Sequence, residues 1–271
     1  MFLYDGQVKT LCNKMNIGCD ILYLFILARK SIMKLYITAL ILTASLAACD
    51  NPFNKTISGD GNISTSERNV STFKKIRCSG SYDVELTQGS SSSLKIKTDG
   101  NILSYIVTDV DGDELNIHTK EGVNLHSSNK IKLYITTDKL EGFKLAGSGN
   151  VTTTNKFSGG DHLDLDISGS GNLHFDVNTP SIQSSISGTG DIYISGETKD
   201  SKIEIAGSGN YHAEDLKAEN ATVRIAGSGD ARLFAEHALD INIAGVGSVY
   251  YKGNASVSQN IAGSGKIKKL E

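Results

Sequence analysis

One short phrase recurs along the chain and constrains its fold more than any other feature. Leu145-Ala-Gly-Ser-Gly-Asn-Val151 returns as Ile167-Ser-Gly-Ser-Gly-Asn-Leu173, Ile186-Ser-Gly-Thr-Gly-Asp-Ile192 and Ile205-Ala-Gly-Ser-Gly-Asn-Tyr211. Three more copies follow: Ile225-Ala-Gly-Ser-Gly-Asp-Ala231, Ile243-Ala-Gly-Val-Gly-Ser-Val249 and Ile261-Ala-Gly-Ser-Gly-Lys-Ile267. Their first glycines are Gly147, Gly169, Gly188, Gly207, Gly227, Gly245 and Gly263, separated by 22, 19, 19, 20, 18 and 18 residues. Ile57-Ser-Gly-Asp-Gly-Asn-Ile63 reads as an early copy and Cys78-Ser-Gly-Ser-Tyr-Asp-Val84 as a degenerate one. A fixed period of this length marks a repeat architecture, in which each unit buries its apolar face only against its neighbours.

Between the phrases, apolar residues alternate, as in Leu163/Leu165/Ile167, Leu173/Phe175/Val177 and Leu239/Ile241/Ile243. Period two means strands with one buried face. The glycines permit corners with positive φ, and the Asn or Asp after the second glycine tolerates such corners and hydrogen-bonds nearby backbone. The fold expected is all-β: a right-handed parallel β-helix, or β-solenoid, with coils of about 18–22 residues. No amphipathic helix is expected, and the helix-friendly stretch Ala213–Ala221 is too short to propagate alone. Residues 85–140 lack the phrase but keep the alternation, which leaves divergent coils or a capping β-unit open. Some cap is required, because a bare solenoid end exposes unpaired backbone.

The N-terminus carries a different signal. Met33-Lys34 precedes an apolar run from Leu35 to Ala47 that closes in Leu46-Ala47-Ala48-Cys49. A positive start, a short apolar core and small residues before a cleavage point describe a secretory signal. The tetrapeptide resembles the lipobox of bacterial lipoproteins, which implies cleavage before Cys49 and a diacylglycerol on its sulfur. Residues 1–32 sit awkwardly before such a signal, and translation is expected to begin at Met33. The organisation expected is therefore a leader at 1–32, a lipoprotein signal at 33–48, a tether with the first repeat copy at 49–69, and the solenoid at 70–271. Cys12 and Cys19 fall in the leader, so Cys78 is the single cysteine left in the body, and no disulfide framework is expected there. Cys78 occupies the position of Leu145 and Ile167, and a buried, inert thiol is expected.

Charge excludes one class of partner. The chain has 27 basic and 30 acidic residues. Setting aside residues 1–48, with five basic side chains (Lys9, Lys14, Arg29, Lys30, Lys34) and two acidic ones (Asp5, Asp20), leaves 22 basic against 28 acidic, a net charge of −6. Such a body lacks the basic stripe that nucleic acid requires.

The repeats, together with Val70-Ser-Thr-Phe-Lys-Lys-Ile76, Tyr82-Asp-Val-Glu-Leu-Thr-Gln-Gly89 and Lys130-Ile-Lys-Leu-Tyr-Ile135, resemble the putative auto-transporter adhesin head GIN domain family over roughly residues 70–267. The resemblance implies a secreted or lipid-anchored β-solenoid. It brings no catalytic motif to carry over.

A nucleotide-binding Gly-x-Gly needs one turn between strand and helix, whereas this one recurs between strands. The column after the second glycines reads Asn150, Asn172, Asp191, Asn210, Asp230, Ser248, Lys266, with no two carboxylates adjacent, which favours a structural ladder over calcium. Asp161, His162, Asp164 and Asp166 form the densest titratable set, with Asp164 and Asp166 sharing an outward face. His174, His212 and His237 are expected to fall in no common column. Tyr193, Tyr211, Tyr250 and Tyr251 are the candidate aromatic contacts, Tyr211 sitting where the core expects an aliphatic. Neither a cofactor, nor a metal, nor a catalytic residue is expected. The function expected is that of a non-enzymatic, lipid-anchored protein of the cell envelope, held at the outer membrane through Cys49. It would present its solenoid to an unidentified protein or glycan, or serve as a structural surface. The alternative is a carbohydrate-active enzyme, a lyase or glycosidase, on a β-helix scaffold.

Overall fold

The computed structural model describes residues 55–271. The proposed lipid site Cys49, the signal at 33–48 and the leader at 1–32 lie outside the described residues. Within them the chain is nearly all strand, with one short 3-10 turn at Leu103–Tyr105. No helix among the described residues is long and apolar enough to cross a membrane. The stretch with helix-friendly residues lies inside the strand Tyr211–Gly227.

From Gly142 onward every strand pairing is parallel, and the chain winds as stacked coils. Each coil contributes to two faces. One runs through His162–Gly169, Ser181–Gly188 and their successors. The other runs through Asn172–Asn178, the first part of Asp191–Gly207 and their successors. The Gly-x-Gly phrase is the corner between the faces, and its repeats align one above another. Gly80 pairs with Gly147, and the series continues through Gly169, Gly188, Gly207, Gly227 and Gly245 to Gly263.

The corner explains its own composition. Gly188 has φ of +137°, in the left-handed region, and a Cβ built there would collide with the carbonyl oxygen of Gly169 one coil earlier. Only glycine meets both demands. The degenerate copy at Cys78–Val84 is the first member of this column, with Gly80 at φ +146°. Ile57–Ile63 departs from expectation. Its first strand, Lys55–Ser58, pairs instead with Val123–His126 in a separate two-stranded sheet, so it is no coil of the stack.

Residues 63–137 resolve the choice left open by the sequence. Glu114–Thr119 and Ile131–Thr137 run parallel to Lys75–Gln88 and continue the two faces. Beyond them the strands Ile63–Arg68, Ser93–Asp99 and Ile106–Asp111 pair antiparallel and close the N-terminal end. The cap is fastened by Asp99, whose carboxylate accepts hydrogen bonds from Ser127 Oγ (2.6 Å), Ser128 N (2.9 Å), Asn129 Nδ2 (3.0 Å) and Gly61 N (3.0 Å). The Ser127 hydroxyl above all, with Asn129 and Ser128, holds this carboxyl down at about 2 against the opposing effect of burial.

The core is a continuous stack of inward side chains. One column runs Cys78, Leu145, Ile167, Ile186, Ile205, Ile225, Ile243, all buried. Cys78 is fully enclosed, and burial pushes its thiol up to about 12, so it is the inert hydrophobe the sequence suggested. Tyr211 is likewise buried in the column of Leu173 and Ile192. At the C-terminal end the last coil thins out: Ile261 is 38% exposed, and Gln259 takes the place of the buried Ile241.

Candidate functional site

The two faces differ in what they show to solvent. On the first, Asp164 and Asp166 point outward as expected, between the buried Leu163, Leu165 and Ile167. Across the strands Asp164 lies between Gly142 and Gln183, and Asp166 between Lys144 and Ser185. Neither meets a second carboxylate across strands. Lys144 Nζ stands 3.8 Å from Asp166, and further along Glu204 takes Lys202 at 2.8 Å and Arg224 at 3.5 Å. These are exposed pairs of alternating sign, each contributing less than about 1 kcal/mol.

At the corner the Asn/Asp column works as a hydrogen-bond ladder. The backbone N–H of Asp191 donates to Asn172 Oδ1 (3.2 Å), that of Asn210 to Asp191 Oδ1 (2.7 Å), that of Asp230 to Asn210 Oδ1 (3.1 Å) and that of Ser248 to Asp230 Oδ1 (2.7 Å). The ladder begins one coil earlier than the sequence suggested, where Asn150 N donates to Asp83 Oδ1 at 3.1 Å. The side-chain oxygens are thus engaged by backbone, which is the structural role inferred from the spacing of the charges. Among the described residues no group of three or more His, Cys, Asp or Glu side chains is placed to hold a metal ion.

The second face carries a feature that the expectation for the histidines missed. His174 and His212 do share a column, with Tyr193 between them. Each lies five residues after the first glycine of its phrase, whereas His237 lies ten after Gly227 and stands apart. The rings stack at 4.5 Å for His174–Tyr193, with planes 5° apart, and at 4.5 Å for Tyr193–His212, with planes 6° apart. Side chains at one register position repeat at the strand spacing of about 4.8 Å, so flat rings there are brought face to face. Each pair adds about 0.5–1.5 kcal/mol beyond area burial. Partial burial lowers the affinity of the His174 imidazole for its proton. The column continues through Arg232, whose guanidinium lies 4.8 Å from the ring centroid of Tyr250. Of the tyrosines singled out, Tyr193 is 37% exposed and belongs to this column, whereas Tyr211 is core.

Beside the rings runs a shallow groove of about 310 Å³, with Asp176, Ser195 and Asp215 along its far side. The strand pairing slips here. Tyr193 faces His212 while Ser195 faces Asp215, so the later strand carries one extra residue and both Glu214 and Asp215 reach the rim. Such bulges re-aim side chains where a surface must depart from regular pleating.

No curated protein matches the chain. Solved structures do. A putative adhesin from Bacteroides fragilis is 27% identical, covers 79% of this chain and all of its own, and superposes with a TM-score of 0.76. A putative lipid binding protein from Parabacteroides distasonis is 28% identical over 80% of this chain and all of its own, with a TM-score of 0.66. A putative adhesin from Parabacteroides merdae, 23% identical with a TM-score of 0.65 over 80% of this chain and 99% of its own, shares the fold. The family model described as putative auto-transporter adhesin, head GIN domain, matches residues 72–255. With well over half its length in that match, the chain belongs to the putative auto-transporter adhesin head GIN domain family.

Proposed function

We propose that this protein is a non-enzymatic, lipid-anchored component of the cell envelope, fixed to the outer membrane through Cys49, whose solenoid presents a binding surface. The observation that carries the reading is the contrast between the faces. Both carry a shallow groove, but on one it is lined by compensated charge and small or aliphatic side chains, whereas on the other stacked rings and a β-bulge gather at the groove. The carbohydrate-active alternative needs carboxylates converging on one bond. Asp164 and Asp166 instead point outward among neutral or basic neighbours, and in the groove of the other face Asp176 and Glu214 each stand beside a cation, which favours the non-enzymatic reading. The interior is packed with its own Ile, Leu and Val side chains, so a ligand of any kind must lie outside the coil.

The test has two arms. Fatty-acid labelling should mark the wild-type chain and not Cys49→Ser, and the variant should leave the membrane fraction; an unlabelled wild type would overturn the anchor. Cells carrying the chain should also adhere to plates coated with glycoproteins or matrix proteins better than cells lacking it. Equal adhesion on every coating would overturn the binding role.

A further inference from the structure

The ring column stops abruptly on one side. Past His174 the next residue in register is Thr152, which is short and exposed, and the one after it is Glu85. Two strand spacings of about 4.8 Å therefore separate His174 from Glu85 with only a threonine on the floor. The imidazole face turned toward Thr152 has no ring over it, while its other face is covered by Tyr193. This opening forms one end of the groove, which is lined there by Thr152, His174 and Asp176.

The chemistry of the groove selects its occupant. Its carboxylates are partly compensated: Asp176 has Lys156 at 3.5 Å, and Glu214 has Arg232 at 3.8 Å. The site is therefore a poor trap for cations, yet it is rich in acceptors. Tyr193 and the imidazoles offer mixed donors and acceptors at their exposed edges. Extended peptide is disfavoured, because each central strand of this face is already paired on both edges and offers no backbone for strand addition. A flat apolar surface beside hydroxyl-binding acceptors is what a sugar ring requires.

We propose that this groove is a binding site for a neutral glycan, with one sugar ring seated over Thr152 against the free face of His174. Its hydroxyls donate to Asp176 and, further along, to Asp215 across the small Ser195. The bulge at Glu214–Asp215 widens the far end for a second unit. This assignment rests on the reading of the same face as the binding surface and gives that surface a ligand class.

The purified full-length chain in detergent is titrated calorimetrically with a panel of neutral oligosaccharides of glucose, galactose, mannose and xylose. At least one should bind. Thr152→Trp fills the opening from an exposed position and should weaken that binding about tenfold or more, a loss of about 1.4 kcal/mol, with an unchanged melting temperature. Asp176→Asn should weaken it through lost acceptor strength, while Arg224→Ala on the opposite face should leave it untouched. Binding of no member of the panel, or affinity indifferent to Thr152→Trp, would overturn the glycan assignment. Cells that still adhere to coated plates in that case would leave the surface-binding role standing without the glycan. Failure of adhesion alongside intact sugar binding would do the reverse.

Discussion

All three antiparallel pairings of the described residues lie between Ile63 and Thr137, whereas from Gly142 to the last strand every pairing is parallel, and the register repeats from coil to coil except at the slip between Tyr193 and Ser195. The earlier region is held by particular contacts that occur once. Asp99 alone gathers donors from the 127–129 loop and from Gly61. The later region is held by contacts that recur from coil to coil: a glycine corner, in most coils an Asn or Asp rung, and an inward aliphatic that is usually isoleucine. A single loss should therefore be felt differently in each. The cap has no substitute for its one carboxylate, while a coil keeps its other attachments when one is cut.

The coils have one point that redundancy does not protect, and it should show the largest effect. Gly188→Val places a branched side chain at φ +137° against the carbonyl of Gly169. Backbone strain and overpacking together should cost about 3 kcal/mol or more, read as a lowered urea midpoint or as loss of soluble protein. Next is the inward column. Ile205→Ala, at 1% exposure, should cost about 3 kcal/mol, whereas Ile261→Ala, at 38% exposure on the terminal coil, should cost well under half of that. Equal losses would mean that the C-terminal coil is covered in solution.

The Asp99 prediction turns on pH. Its folded carboxyl sits at about 2, below the ordinary value of 3.8, so its stabilisation is fully present above about pH 4 and is lost as pH falls toward 2. Thermal melts of the wild type should decline across that window. Asp99→Asn should be less stable at neutral pH and decline less on acidification; parallel curves for the two proteins would remove Asp99 from its role as fastener. A smaller effect is expected of one rung: Asn210→Ala removes the acceptor of the Asp230 N–H and the amide bond to Asp191, and should cost only about 1 kcal/mol, because neighbouring rungs and the strand ladder remain. The smallest is Glu204→Gln on the charged face, which should shift stability by less than about 0.5 kcal/mol.

The same contrast decides what could be read from the chain alone. In the coils, period and side-chain direction follow from local rules, so the corner glycines, the inward Cys78 and Tyr211, and the outward Asp164 and Asp166 were all legible. The Asn/Asp ladder is legible as a column in which no two carboxylates are adjacent. The ring stack was equally available, since His174, Tyr193 and His212 hold one offset from their glycines. Residue type hides it, because His237 falls off that offset and the middle ring is a tyrosine. The cap was not legible, because the partners of Asp99 lie 28–38 residues away and recur nowhere. The early Gly-Asp-Gly phrase misled for the same reason: its glycine N–H is taken by Asp99 rather than by a neighbouring corner.

The Asn/Asp rungs also give the molecule a direction of growth. From Asp191 to Ser248 the backbone N–H of each rung residue is answered by the side chain of the rung in the coil before it, while the next residue donates onward, as Ile192 does to the carbonyl of Asn210. A chain folding from its N-terminal end would thus meet a finished acceptor for each of these rungs. A duplicated stretch of one period, such as residues 207–226, would find both its acceptor and its successor already in place. The length of the body is then adjustable by gene duplication in steps of about 4.8 Å, a trait that selection can tune one coil at a time.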